Sequence, residues 1–217
     1  GASAGTEAEE SGDAGGLQAV LPGPYTLADL ATDEHYGDDA AFFEGVVNFL
    51  AAEVEAFPAV ETLTLLEPSL VENPPDQDAC ERLAGGIDSV TAGADGEVLV
   101  QPYWGALDEK VYAHVMDADL DALGFDLVSA PDENVYNAQE YGTPDSVALG
   151  VVDGQNTLVE TPETIRERVD WFAERTPQND YDTVFVTTNT ETFYLPVNRF
   201  AEKLDALAAA TQVEVTA

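Results

Sequence analysis

Six short, mostly apolar runs recur along the chain, at residues 17–21, 62–66, 97–101, 122–127, 147–152 and 183–187. They are too short for helices, and they read as strands buried on both faces of a parallel sheet. Between them the hydrophobic period becomes helical. Asp38 or Asp39 can cap a segment that gathers Phe42, Phe43, Val46, Val47, Leu50 and Val54 on one broad face, and Pro58 ends it. Thr161 can serve as the N-cap of a second helix, with Pro162 at the first helical position and Ile165, Val169 and Phe172 at i, i+4 and i+7. The last helix carries Phe200, Leu204 and Leu207 as its apolar stripe.

This alternation of strand and helix predicts a parallel α/β architecture. A doubly wound sheet and a (β/α)8 barrel both satisfy it. A dinucleotide-binding sheet needs Gly-x-Gly-x-x-Gly after its first strand, and no run here is followed by that pattern or by a P-loop. The expected fold is therefore a TIM-type (β/α)8 barrel, of which residues 17–217 supply about six βα units. Residues 1–16, GASAGTEAEESGDAGG, have no apolar period and read as an acidic flexible linker. The chain starts at Gly1 and its one Met is Met116, so a processed product or a segment of a longer parent is expected.

Charge changes the picture of habitat more than of chemistry. Lys and Arg number 7 against 43 Asp and Glu, a formal charge of −36. A nucleic-acid partner is excluded, because binding a polyanion requires cations that release its counterions, and an anionic membrane surface is excluded by the same sign. A protein of this mass exposes roughly 9,600 Å², which sets the net charges about 16 Å apart. The Debye length is about 10 Å at 0.1 M salt and about 3 Å at 1 M. Self-repulsion therefore acts in dilute buffer and is screened in molar salt, which points to a salt-rich cytoplasm. Cys80 stands alone, so no internal disulfide forms. No apolar run approaches the ~20 residues of a membrane-spanning helix, and the expectation is a soluble, cytoplasmic protein.

In a parallel barrel the functional face is built from the carboxyl ends of the strands. The polar residues found there are Tyr25 and Thr26 in the first unit and Glu67 and Glu72 in LLEPSLVE. Gln101, Tyr103 and Trp104 follow in VQPYWG, Asp126 in LGFD, Asp153 and Asn156 in VVDGQN, and Asn189, Thr190 and Glu191 in TTNTE. An acid at the rim of an apolar core is tolerated when it is paired or functional, which singles out Glu67, Asp126 and Asp153. Tyr103 and Trp104 offer flat area for stacking on a planar ligand, or for simple packing. His114 lies in a helix, His35 in an acidic loop, and Cys80 has no activating His or Lys beside it in sequence. No Ser/His/Asp order can be assembled from them.

These strand-end phrases resemble the cobalamin-independent methionine synthase family. LPGPYTL at 21–27 is similar to its Gly-Pro-x-Thr segment after the third strand, and LLEPSLVE at 65–72 to its Asp-Glu-Pro-Ala-Leu segment after the fourth. LGVVDGQNT at 149–157 is similar to its seventh-strand segment, and FVTTNTETFYLP at 185–196 to its last strand. The resemblance implies two related (β/α)8 barrels, of which the catalytic one activates homocysteine through zinc. The positions that correspond to the zinc ligands read Gln101-Pro102-Tyr103-Trp104, Asp126 and about Thr190, so zinc is not expected here. Leu66 replaces the Asp that holds the homocysteine amino group, and the catalytic His falls near Gln155. Phe125-Asp126-Leu127-Val128 instead resembles the zinc-free N-terminal barrel.

The resemblance thus implies a haloarchaeal-type paralogue or half of a methionine synthase, with Leu17 at the third strand and two βα units upstream. It would bind a small-molecule substrate, a methylfolate-like donor, beside a separately encoded catalytic barrel or as a homo-oligomer, with no tightly bound cofactor. Glu67, Glu72, Tyr103, Trp104, Asp126, Asp153 and Asn156 are the expected substrate-binding residues. Two rival readings are a non-enzymatic scaffold barrel and an unrelated barrel enzyme with a carboxylate general base.

The charge density yields a first prediction. Circular dichroism between 0.1 and 3 M potassium chloride should show structure gained with salt; a fully folded, flat signal at 0.1 M contradicts the screening argument.

Overall fold

The computed structural model describes residues 16–178 and 180–212. The linker expected over residues 1–16 lies outside them except for Gly16, whose N–H donates to Glu61 Oε2 at 2.8 Å. The strands are β1 (Gln18–Pro22), β2 (Thr62–Leu66), β3 (Glu97–Gln101), β4 (Ala122–Asp126), β5 (Ser146–Val152) and β6 (Val184–Thr188). The helices are α1 (Pro24–Leu30), α2 (Asp39–Glu55), α3 (Ser69–Glu72), α4 (Gln77–Thr91), α5 (Glu109–Val115), α6 (Pro131–Tyr141), α7 (Pro162–Ala173) and α8 (Val197–Ala210). Each strand falls within one residue of an apolar run.

The strands are all parallel and stand in the order β1-β2-β3-β4-β5-β6. A doubly wound sheet reverses its strand order at a switch point; this one never does. The described residues form a six-stranded parallel half-barrel, in which β1 and β6 each pair on one side only, and a closed eight-stranded barrel is not reached.

Alternate strand positions point to opposite faces, and the two faces differ sharply. Leu63, Leu65, Val100, Leu123, Phe125 and Leu149 join the main core with Leu50, Leu83, Ile87, Tyr112, Ile165 and Phe172 from the helices. The other face carries a small cluster of Leu99, Ala122 and Ala148 with Phe185 against it. Around that cluster the face is polar: Gln18 Nε2 donates to Thr64 Oγ1 at 2.9 Å. Gln101 is 2% exposed, and its amide nitrogen and oxygen have no partner among the described residues. It lies over Gly124, where a Cβ would collide with its amide.

The capping residues are local. Asp38 Oδ1 accepts from Ala41 N–H at 2.9 Å, Asp76 Oδ1 from Ala79 N–H at 2.9 Å and Thr161 Oγ1 from Thr164 N–H at 3.3 Å. Tyr25 and Thr26, expected directly after the first run, stand in α1, because Pro22 and Pro24 end the strand and start the helix at once. One expectation is corrected. The buried face of α8 is Lys203, Ala206, Leu207 and Ala210, while Phe200 and Leu204 are exposed.

Candidate functional site

Because the ladder is parallel, β3, β4, β5 and β6 all end on one rim. Their following loops surround a cleft of about 480 Å³. The β3 loop contributes Trp104 and the β4 loop Ser129; the β5 loop contributes Asp153, Gln155, Asn156 and Thr157, and the β6 loop Asn189 and Thr190.

Asn189, 3% exposed, ties three of these loops together. Its Nδ2 donates to Asp126 Oδ2 at 3.2 Å and to Ser129 Oγ at 3.0 Å, and its Oδ1 accepts from Gly154 N–H at 3.0 Å. Asp126 is fully buried, and its Oδ1 accepts from Val128 N–H at 2.9 Å and Ser129 N–H at 2.8 Å. Gly154 must lack a side chain, since a Cβ there would stand 2.5 Å from the Thr190 carbonyl oxygen. Asp153 Oδ1 accepts from Gln155 N–H at 2.9 Å and Asn156 N–H at 3.0 Å, which folds the loop into a turn.

The β5 loop is held from below by buried charge. Glu160 Oε1 accepts from Asp153 N–H at 2.9 Å, while its Oε2 meets Lys203 Nζ at 2.7 Å. Lys203 is 1% exposed and also donates to the Leu158 carbonyl at 2.5 Å. Arg168 donates to the Val151 carbonyl at 2.5 Å and lies 3.8 Å from Glu160.

Trp104 adopts φ 65°, the left-handed backbone that bulky residues avoid, and Gly105 follows at φ 151°. Such a conformation costs on the order of 1–3 kcal/mol and persists where the surroundings enforce it, often at functional sites. Here it sets a half-exposed indole on the cleft wall.

The structure therefore brings Trp104, Asp153 and Asn156 together around the cleft, with Asp126 beneath them. Tyr103 is not among the lining residues; burial first and the Glu191 charge second push its hydroxyl up to about 12. Glu72 is exposed on α3, away from the cleft. Glu67 is fully buried at the end of β2, where Oε1 accepts from Tyr25 N–H at 2.9 Å and Oε2 from Thr26 N–H at 2.7 Å. Burial pushes its carboxyl up to about 7, against the pull of those donors and of the Thr26 hydroxyl. Ser129, Thr157 and the Glu160–Lys203 pair escape sequence reasoning, because none directly ends a strand.

No Lys or Arg lines the cleft. Among the described residues no three His, Cys, Asp or Glu side chains come together to hold a metal ion. These residues do not fit zinc, which requires a tetrahedral set of thiolate, imidazole or carboxylate ligands. Cys80 is buried in α4 with its thiol toward the Pro75 carbonyl at 3.6 Å, and burial pushes that thiol up. The Lys110 charge acts on it in the opposite sense.

Residues 4–176 match the model of the cobalamin-independent synthase N-terminal domain. The chain is 32% identical over 147 residues to a 5-methyltetrahydropteroyltriglutamate–homocysteine methyltransferase of Bifidobacterium adolescentis, covering 63% of this chain and 19% of that protein. It is 30% identical over 151 residues to the same-named enzyme of Lactiplantibacillus plantarum, with the same coverage. It thus spans 19% of the length of these curated relatives. A B12-independent methionine synthase structure from Shewanella superposes with TM-score 0.68 at 16% identity, over 90% of this chain and 61% of that one. A putative vitamin-B12-independent methionine synthase from Listeria monocytogenes gives 0.63 at 16%, over 90% and 62%. At that identity the structural likeness speaks for the fold alone.

Two predictions follow from the buried charges. Glu67 holds its proton to a higher pH in the folded chain than its ordinary value of 4.5, so its contribution to stability falls as pH rises from about 4.5 to about 7 and is level above. Urea unfolding at pH 4.5 and 8 should show wild type losing on the order of 3 kcal/mol relative to Glu67→Gln; parallel pH profiles refute this. Lys203→Met leaves Glu160 with Arg168, 3.8 Å away, as its remaining ion-pair partner and should cost about 3 kcal/mol, whereas Lys203→Met with Glu160→Gln should cost less. Equal losses in the single and double variants, measured by denaturant unfolding, refute the pairing.

Proposed function

We propose a role for this chain, which belongs to the cobalamin-independent synthase N-terminal domain family, in methyl transfer from a methylfolate-like donor to homocysteine. It binds the flat ring of the donor in the rim cleft and leaves thiol activation to a separate catalytic barrel. The donor is a dissociable substrate and not a resident cofactor. The observation that carries this reading is Trp104, held in a left-handed backbone conformation against a cleft of amides, hydroxyls and one carboxylate. An indole face stacks on a heteroaromatic ring, and Asp153 with Asn156 and Asn189 offers acceptors and donors to its edge. A neutral ring suits a cleft without cations; the acidic tail of the donor would lie toward solvent, where salt screens it. The −36 charge supports a salt-rich, haloarchaeal-type cytoplasm as the setting.

The carboxylate-base reading is weaker. Of its three candidates, Glu67 and Asp126 already spend their oxygens on backbone N–H groups and Asn189, and Asp153 commits Oδ1 to the Gln155 and Asn156 N–H groups. The scaffold reading differs from ours only in lacking a small ligand. Equilibrium dialysis of 5-methyltetrahydrofolate in 2 M potassium chloride separates them. We expect saturable binding that Trp104→Ala weakens at least tenfold. No binding, or equal binding by the variant, defeats the donor site, and co-purification of a catalytic barrel without donor binding would favour the scaffold.

A further inference from the structure

Large hydrophobic side chains exposed singly, such as Leu30, Phe49 and Leu158, are ordinary on a protein surface. Five that fall together between Phe193 and Leu204 are not. Phe193, Tyr194 and Val197 are 88%, 82% and 83% exposed, and Phe200 and Leu204 are 38% and 45% exposed. Along α8, Val197, Phe200, Ala201, Leu204 and Ala208 stand at i, i+3, i+4, i+7 and i+11, which places them on one helix face, and all five are exposed. The face that docks on the rest of the protein is a different one, with Lys203, Ala206, Leu207 and Ala210. A surface helix needs one apolar face to join its own core, and α8 carries a second.

Charge sets this stretch apart as well. From Thr192 to Ala210 the acids Glu202 and Asp205 stand against the bases Arg199 and Lys203, so the stretch is neutral in a chain of net charge −36. None of the four shares the helical positions of the exposed apolar face. Over most of its surface a second copy would be repelled by like charge; on this face it would meet none. Covered completely, the five large side chains remove roughly 700 Å² from water per copy, and a pair about 1,400 Å², inside the ~1,200–2,000 Å² of a specific interface. The residues outside the described ones hold little that could cover the face instead: 1–15 contain no aromatic, Leu, Ile, Val or Met, and 213–217 contain Val213 and Val215 as their only large apolar residues.

We infer that α8 and the loop before it form a self-association surface, on which Val197, Phe200 and Leu204 pack against the same face of a second copy of this chain about a two-fold axis. A two-fold contact sets one patch against itself, and ridges spaced by three and four residues on one helix seat in the grooves of another. The occupant must therefore bring an uncharged helical ridge of this spacing, and a second copy brings it. Molar salt favours the pair by screening the charges that the two chains carry elsewhere. None of the five large side chains lines the rim cleft, so the inference stands apart from the donor reading.

Sedimentation equilibrium in 2 M potassium chloride tests it. Between 2 and 200 μM the wild type should pass from the mass of one chain to that of two, and the dimer should weaken severalfold when the salt is lowered to 1 M. Val197→Glu, at a position 83% exposed, should weaken the dimer at least tenfold with denaturant unfolding unchanged. Phe200→Glu with Leu204→Glu should abolish it; if that variant fails to fold, Val197→Glu alone decides. Phe49→Glu, which adds the same charge at an exposed site on α2, should dimerise as wild type does. A wild type that stays monomeric to 200 μM, whatever other protein it captures, overturns the inference. So does a dimer that tightens at lower salt, one that Val197→Glu leaves intact, or one that Phe49→Glu weakens equally. A dimer that binds no 5-methyltetrahydrofolate keeps this inference and loses the donor reading alone.

Discussion

The parallel ladder, in which every strand pairs only with its neighbours in sequence, is the constraint on which the other features depend. Parallel strands need a crossover after each one, and in unbroken order every crossover lands on the same side. The helices therefore cover one face of the sheet and bury Leu63, Leu65, Val100, Phe125 and Leu149 against it. Burying each such side chain contributes roughly 1.5–3 kcal/mol. The same order delivers the carboxyl ends of β3 to β6 to one rim, so loops far apart in sequence, those of Trp104, Ser129, Asp153 and Asn189, meet around one cleft. The other face shows what the ladder lacks. Its Ala122, Gly124 and Ala148 are small and buried, the Gln101 amide is buried without a partner among the described residues, and Val20 on β1 is half-exposed. Closed barrels fill this space with interlocking layers of branched side chains, and strands paired to the open edges of β1 and β6 would supply them.

Scarcity of cations shapes the rim as strongly as topology does. With seven positive side chains for 43 acids, most carboxylates must be satisfied otherwise, and backbone amides take over. Tyr25 and Thr26 serve Glu67, Val128 and Ser129 serve Asp126, Gln155 and Asn156 serve Asp153. Away from the rim, the N–H groups of His35, Tyr36 and Gly37 hold the exposed Asp33 below its ordinary value. Hydrogen bonds to the charged form do for a carboxylate what a neighbouring cation would do. The buried pairing of Lys203 with Glu160 stands out against this background, because it secures the loop that carries Asp153.

How far the sequence reveals this arrangement depends on the range of the interactions. Strands and capped helices are local, so apolar runs and residues such as Asp38 and Thr161 locate them to within a residue or two. Trp104, Asp153 and Asn156 are legible for the same reason, standing directly after strands that must end on one rim. The stripe of α8 is not. Phe200, Leu204 and Leu207 satisfy the helical period as well as the true face does, and what turns Lys203 inward is a carboxylate 43 residues away. Asp126 and Glu67 are visible as rim acids, but only the fold shows that their oxygens are already taken. The left-handed backbone of Trp104 has no sequence signal beyond the glycine that follows it.

These electrostatics also separate binding from activation. A thiol of ordinary pKa near 8.5 becomes a nucleophile only when its thiolate is stabilised by a cation, a metal or a helix N-terminus. The rim cleft has no lysine or arginine in its lining, carries Asp153 within it, and sits in a chain of net charge −36. Each of these raises the free energy of a thiolate placed there. A neutral aromatic ring pays no such penalty: stacking on Trp104 is insensitive to the sign of the surrounding field, and a carboxylate at the ring edge strengthens hydrogen bonds from its N–H groups. The same charge distribution that disfavours a thiolate in this cleft leaves a neutral aromatic ring without penalty, and that difference is set by the side chains present.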